Sequence, residues 1–93
     1  MTSMTKALIS VSGADTTGII ARIATKLYEM NINILDISQT ILSGCFTMMM
    51  VVDLTASGMT FTEVSEALQP VGQSLGMEIH IQRMDIFDAM HRI

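Results

Sequence analysis

The feature that most restricts this chain is a dipeptide, Ser43-Gly44, set between two alternating runs at residues 34–42 and 45–54. A two-residue turn fixes the register of a hairpin, so position 42 faces 45 and every later pair follows from it. That register sets Leu35 opposite Val52, Ile37 opposite Met50, Gln39 opposite Met48 and Ile41 opposite Phe46. Only Gln39 among these eight is polar, and all eight fall on one face. The other face pairs Asp36 with Val51, Ser38 with Met49 and Thr40 with Thr47. Turn and hydrophobic pattern agree, which predicts a hairpin with one face to be covered.

The rest of the chain supplies partners for that hairpin. Residues 6–12 alternate, with Ala7, Ile9 and Val11 on one face and Leu8, Ser10 and Ser12 on the other, as in a strand. Gly13-Ala14-Asp15-Thr16-Thr17-Gly18 reads as a turn. Ile19, Ile20, Ile23, Ala24, Leu27 and Met30 then recur at helical spacing, predicting a helix from about 17 to 30, entered through cap-forming Thr and Asp residues. Asn31-Ile32-Asn33 ends it. Thr60-Phe61-Thr62-Glu63 is a capping box, followed by the stripe Phe61, Val64, Leu68, Val71 and Leu75. Pro70 lies in that helix and is expected to kink or break it near Gln69, and Gly76 fits its C-terminal stop. Residues 77–84 alternate as a last strand, and the tail 85–93 has the pattern of a short amphipathic helical turn capped by Asp85.

The order strand–helix–strand–strand–helix–strand is that of an α+β, ferredoxin-like βαββαβ sandwich: a four-stranded antiparallel sheet with two helices on one face. With 93 residues the chain suffices for a single domain over 1–93 and is too short for two. Its other sheet face is left open. Hydrophobic residues make up 49% of the chain and charged residues 15%, an apolar surplus that small domains usually bury between subunits, so a homo-oligomer is expected.

Charge and cysteine usage exclude several function classes. The net charge is −4, with five basic residues and no Trp, which argues against nucleic acid. No apolar run approaches the roughly 18 residues of a membrane span and no secretory leader is recognisable, so neither membrane partner nor export is expected, and the default address is the cytoplasm. A single cysteine, Cys45, rules out an internal disulfide and a multi-cysteine zinc site. His80 and His91 lack ligand-pair spacing, so no metal is expected. Glu63 and Glu66 read as solvated helix residues, and Met48-Met49-Met50 as core and interface. No Ser/His/Asp, Cys/His or paired-carboxylate arrangement stands out, no cofactor motif is present, and the chain is read as not an enzyme.

The segment with most chemical promise is Gly13–Gly18, where a strand meets a helix N-terminus. Free backbone N–H groups and the helix dipole favour a carboxylate or phosphate there. A tight turn that needs glycine accounts for the segment equally well. Its Gly-x-x-x-x-Gly spacing resembles a phosphate-binding loop, but Ile19 stands where lysine is required. Asn33 opens the second strand, close to this loop if the first helix returns antiparallel, and its amide suits an amino group. Asn31 and Asn33 can equally be turn formers after a helix.

Val11-Ser12-Gly13-Ala14-Asp15, Thr16-Thr17-Gly18-Ile19-Ile20-Ala21 and Asn31-Ile32-Asn33-Ile34 together resemble the ACT domain. The run Asn33–Leu42, then Phe46-Thr47-Met48, Asp85-Ile86-Phe87 and Met90-His91-Arg92-Ile93 are similar to a branch of small stand-alone bacterial and archaeal ACT proteins. The resemblance covers residues 5–93. It implies a regulatory or sensor module that dimerises, often by joining sheets edge to edge, and binds an amino acid or similar small carboxylate at the subunit interface. Carried over position by position, the implied ligand-binding residues are Gly13, Ala14, Asp15, Thr16, Thr17, Gly18, Ile19, Asn33 and Ile34. Any regulated activity is then expected on a separate protein. The alternative is a protein–protein interaction module with no small ligand, using the exposed Met49 and Val51 and the tail. Many ACT loops carry Arg or Lys and then Pro before the glycine; Thr16 and Thr17 stand there in this chain.

Overall fold

A computed structural model describes residues 5–84. The elements are β1 (Lys6–Ala14), α1 (Ile19–Glu29), β2 (Asn33–Leu42), β3 (Cys45–Asp53), a 3₁₀ turn (Thr55–Ser57), α2 (Phe61–Leu75) and β4 (Met77–Arg83). The strands form one antiparallel sheet in the order β2-β3-β1-β4. This is the expected βαββαβ sandwich. The tail, with its expected helical turn, lies outside the described residues.

The core is the helix-facing side of the sheet. Ala7, Ile9 and Val11 of β1, Phe46, Met48, Met50 and Val52 of β3, and Met77 and Ile79 of β4 are buried. They pack against Ile19, Ile23 and Leu27 of α1 and Val64 and Leu68 of α2. Unbranched Met48 and Met50 fill the space between sheet and helices, a use suited to methionine's flexible side chain. Arg22 of α1 donates to the Ser74 hydroxyl of α2 at 3.0 Å and ties the helices together.

The hairpin register holds from Leu42↔Cys45 to Asp36↔Val51. Beyond that the expectation fails: Ile34, not Leu35, faces Val52, because a β-bulge inserts one residue at Leu35. Ser43 and Gly44 both have positive φ, +53° and +76°, the mirror-image turn whose twist matches paired strands. The helix also passes through Pro70 without the expected break. Pro70 and Glu66, whose carbonyl loses its α-helical partner, are both exposed residues.

Other ends of elements obey local chemistry. In the capping box the Thr60 hydroxyl accepts from the Glu63 N–H at 3.1 Å, and Glu63 accepts from the Thr60 N–H at 2.9 Å. The helix α1 stops at Asn31, whose φ is +62°. Asn31 N–H donates to the Tyr28 carbonyl and Ile32 N–H to that of Leu27, a Schellman arrangement. Gly72 was not singled out by the sequence, yet it is buried where α2 crosses β4. A Cβ there would lie 2.9 Å from the Met77 carbonyl oxygen and 3.1 Å from Ile79.

At the end of β3, the Asp53 carboxylate accepts from the Thr55 hydroxyl at 2.6 Å and the Thr55 N–H at 3.0 Å. Thr55 Oγ1 in turn accepts from Thr5 N–H at 3.0 Å. The Thr55 hydroxyl first, then its N–H, hold the Asp53 carboxyl below its ordinary value of 3.8, with help from Lys6.

Two predictions follow from this packing. Gly72→Ala gains about 1 kcal/mol of helix propensity but overpacks a contact with backbone, at about 1–3 kcal/mol. The net loss of about 1 kcal/mol lowers Tm by roughly 4–8 °C in thermal unfolding. Thr55→Val removes the shortest bond to Asp53, so NMR titration finds that carboxyl at a higher pH than in the parent. Because its folded pKa is depressed, the stability Asp53 contributes is present above 3.8 and is lost as pH falls through the folded value. In the Thr55→Val chain that loss is smaller.

Candidate functional site

The strand β1 does not end where the glycine suggests. Gly13 and Ala14 continue the ladder, opposite Phe46 and Cys45, and the loop proper is Asp15–Gly18. Gly13 is required by packing: a Cβ there would lie 2.8 Å from both the Gly76 carbonyl oxygen and the Met77 sulfur. Gly18 is required by its backbone, which has φ +85° with open space around the missing Cβ. The two glycines share no role, which dissolves the apparent phosphate-loop spacing.

Gly18 is the N-cap of α1, and no side chain caps the helix. Thr16 and Thr17, expected as caps, are exposed and do not serve. The first helical bond is Arg22 N–H to the Gly18 carbonyl at 2.9 Å. The amides of Ile19, Ile20 and Ala21 therefore point out of the helix end, and the dipole adds partial positive charge there. No acid occupies the first turn. Ile19 is buried in the core and fixes the helix start against the sheet. Asp15 is exposed, and its N–H donates to the Gly44 carbonyl at 2.9 Å, which holds the loop against the tip of the β2–β3 hairpin.

Asn33 and Ile34 are elsewhere. Asn33 pairs with Asp53, which pairs with Lys6, whereas Ala14 pairs with Cys45, which pairs with Leu42. The loop and the start of β2 thus occupy opposite ends of the sheet, eight residue steps or about 26 Å apart. The sequence expectation that α1 would return them to one place is corrected: β1 and β2 run parallel, so the end of one and the start of the other diverge. Within one protomer Gly13–Ile19 come together and Asn33 and Ile34 do not join them. Asn33 is exposed and Ile34 is half-buried against the core.

Sequence reasoning missed how exposed the apolar residues of β2 are. Ile37 and Ile41 pair with buried Met50 and Phe46, yet they are 43% and 56% exposed, and Leu42 is 73% exposed. Among the described residues the helix layer reaches Ile34 at the start of β2 and stops short of the rest, leaving Ile37 and Ile41 of this edge strand uncovered. The alternation could show that Ile37 and Ile41 share the core face, but not that the helices fail to reach them; Leu42, opposite Cys45, lies on the other face. One edge donor is covered locally: Ile37 N–H donates to the Asp36 carboxylate at 2.8 Å.

The remaining reactive groups are separate. Cys45 is a free, exposed thiol. His80 lies 3.5 Å from Glu78 on the open sheet face, with both side chains in water. Among the described residues no three of His, Cys, Asp or Glu converge as a metal site, and no helix is long and apolar enough to cross a membrane.

Comparison with known proteins agrees with the fold and extends beyond it. The family model of the ACT domain matches residues 5–82. A UPF0237 protein of Bifidobacterium longum is 49% identical over 90 residues, which cover 97% of this chain and 100% of that protein. The solved ACT domain protein from Streptococcus pneumoniae superimposes with a TM-score of 0.83 at 42% identity, covering 96% of this chain and all of that one. The regulatory subunit of aspartate kinase from Thermus thermophilus, in its ligand-free form, aligns with a TM-score of 0.67 at 27% identity, covering 86% of this chain and 52% of that one. Family model, relatives and fold agree that this chain belongs to the ACT domain family.

Proposed function

We infer that the protein is a non-catalytic regulatory module that binds an amino acid, or a similar small carboxylate, at a site completed by two copies of the chain. The observation that carries this reading is the separation of the loop from Asn33 across a sheet whose β2 edge is bare. Pairing β2 antiparallel with the same strand of a second copy, about a two-fold axis, sets the start of each β2 beside the end of the other. The partner subunit's Asn33 then arrives at the end of the sheet that carries Asp15–Gly18. The same pairing covers Ile37, Ile41 and Leu42, and exchanges the Asp36–Ile37 bond for ladder bonds. An isologous contact of this kind needs no second type of surface.

The chemistry of the loop favours a zwitterion. The uncapped amides of α1 suit a carboxylate. Asp15 and the partner subunit's Asn33 supply oxygens for an ammonium group. A free phosphate meets Asp15 with no cation in the loop to offset it, and Arg22 is already engaged by Ser74. That one relative of the fold is a regulatory subunit of an amino-acid kinase accords with this ligand class.

A panel of amino acids and small carboxylates, followed by thermal unfolding in circular dichroism, tests the reading. A ligand at about 100 times its Kd adds roughly 2.7 kcal/mol, a shift on the order of 10–20 °C for a domain this size. A flat panel overturns it and leaves the protein-interaction reading. Given a hit, Gly18→Val and Asn33→Ala each abolish the shift while the dimer persists in sedimentation. Mixing the two dead variants then restores binding, because a mixed dimer carries one site with an intact loop and an intact Asn33. No recovery on mixing places both residues within one chain. Ile41→Lys sets two charges at the two-fold edge, and it removes dimer and ligand response together.

A further inference from the structure

We propose that two copies of the chain join β2 to β2 in a single register, with Gln39 on the two-fold axis, and that Gln39 is the residue that selects it. This rests on the edge pairing proposed above and deepens it, since that pairing leaves the register open. The backbone limits the choice first. Across the Ser43-Gly44 turn, Leu42 and Cys45 form the first pair that exchanges both N–H···O bonds, and such pairs recur at every second residue. Leu42, Thr40, Ser38 and Asp36 thus direct their N–H and C=O groups at β3, whereas those of Ile37, Gln39 and Ile41 project from the free edge. The Ile37 N–H shows this directly, because its acceptor is the Asp36 carboxylate, at 2.8 Å. Before Asp36 the β-bulge at Leu35 interrupts the edge. The usable edge is therefore Ile37, Gln39 and Ile41, bounded by the bulge at one end and the turn at the other.

In an antiparallel pair about a two-fold axis, outward residues must face outward residues. With Gln39 on the axis, Ile37 faces the partner subunit's Ile41, Ile41 faces the partner subunit's Ile37, and every outward group of both copies finds a ladder bond. Moving the axis to Ser38 sets Ile41 against the bulged Leu35 of the partner subunit. Moving it to Thr40 sets Ile37 against Ser43 of the partner subunit, in the turn. Either shift loses ladder bonds at both ends. The side chains make the same choice. Ile37, Gln39 and Ile41 lie on the helix side of the sheet, opposite Met50, Met48 and Phe46, and Gln39 is the one polar member of these three pairs. On the axis its exposed amide meets its own copy, and two primary amides can each donate and accept. In either shifted register the amide is pressed against an isoleucine and left unpaired, which disfavours those alternatives. The same axis serves the candidate site. The partner subunit's Asn33 lies six residues from it, one of them taken up by the bulge, and so falls opposite Gly44. The Gly44 carbonyl is the group that holds the Asp15 N–H, at 2.9 Å.

Self-cross-linking reads the axis, because in a two-fold strand pair only the residue on the axis faces its own copy. Full-length chains carrying C45S and one of I37C, S38C, Q39C, T40C or I41C are oxidised mildly. Residues that exchange bonds stand with Cα atoms about 5.5 Å apart, inside the range a disulfide accepts. In the proposed register residue 37 and its own copy are offset by four residues, about 13 Å. The Q39C chain is expected to give the covalent dimer at least about tenfold faster than the other four. A maximum at another position overturns the register and leaves the edge pairing standing. No covalent dimer at any position overturns both. Adding Gln39→Ile to the S38C and T40C chains removes the amide and is expected to raise their cross-linking several-fold; an unchanged rate overturns the selecting role of Gln39. The unaltered chain supplies a measurement free of mutation. In dimers mixed from isotope-labelled and unlabelled copies, filtered NMR is expected to show a contact between the α-protons of Ser38 and the partner subunit's Thr40, a closely spaced pair in this register. A contact of Ser38 or of Thr40 with its own copy overturns it.

Discussion

In this domain two helices leave most of the edge strand β2 uncovered. The whole organisation of this domain depends on which strand is left out. The strand β1 lies inside the sheet and receives the helix layer, so Ala7, Ile9 and Val11 are sealed from water. The strand β3 lies beside it and contributes the methionines and Phe46 that fill the layer. The strand β2 is outermost; its Ile34 packs against the core, while Ile37 and Ile41 continue the core-facing rows and are not sealed from water by the described residues. Burying apolar area is worth about 25 cal/mol per Å². A row of half-exposed isoleucines at an unpaired edge is thus both a source of binding energy and an aggregation liability. The pairing with a second copy proposed above would answer both at once.

The sequence displayed the parts of this arrangement that have a period or a local code. Alternation and the Ser43-Gly44 turn fixed the hairpin near its tip, because the turn sets the register and each pair inherits it. The inheritance ended at Leu35, since one inserted residue far from the turn changes no local preference. The capping box at Thr60 and Glu63 was legible because both of its bonds join neighbours in the chain. Gly72 was not, because its reason lies in the carbonyl of Met77 on another element. Pro70 misled for the converse reason: its cost is real in general, but Pro70 and Glu66 are both exposed residues, so the lost bond is not one of the buried core.

The candidate site divides in the same way. The loop was visible as a strand-to-helix turn, and Gly18 was visible as its pivot, although Gly13 proved to serve the packing of β4. The position of Asn33 followed from the expected βαββαβ order and was misread, because a helix that returns between two strands of one sheet leaves those strands parallel. A βαββαβ chain always places the end of β1 and the start of β2 at opposite ends of the sheet. Residues from both places can meet only across a boundary between two molecules.

A site built in that way has a thermodynamic consequence. A ligand that contacts both chains binds the dimer and not the monomer, so by linkage it must strengthen association by the factor with which association strengthens its own binding. The coupling needs no movement of the sheet. It requires only that the loop, held to the hairpin tip by the Asp15–Gly44 bond, and the partner subunit's Asn33 be fixed by the same two-fold axis. The ligand concentration is then read out as dimer population, and as any surface that differs between monomer and dimer. In the dimer proposed above, the exposed side chains of β2 would be such a surface, accessible in the monomer and sealed on pairing. A chain of this size can therefore act as a sensor without an internal hinge, with subunit exchange as its moving part.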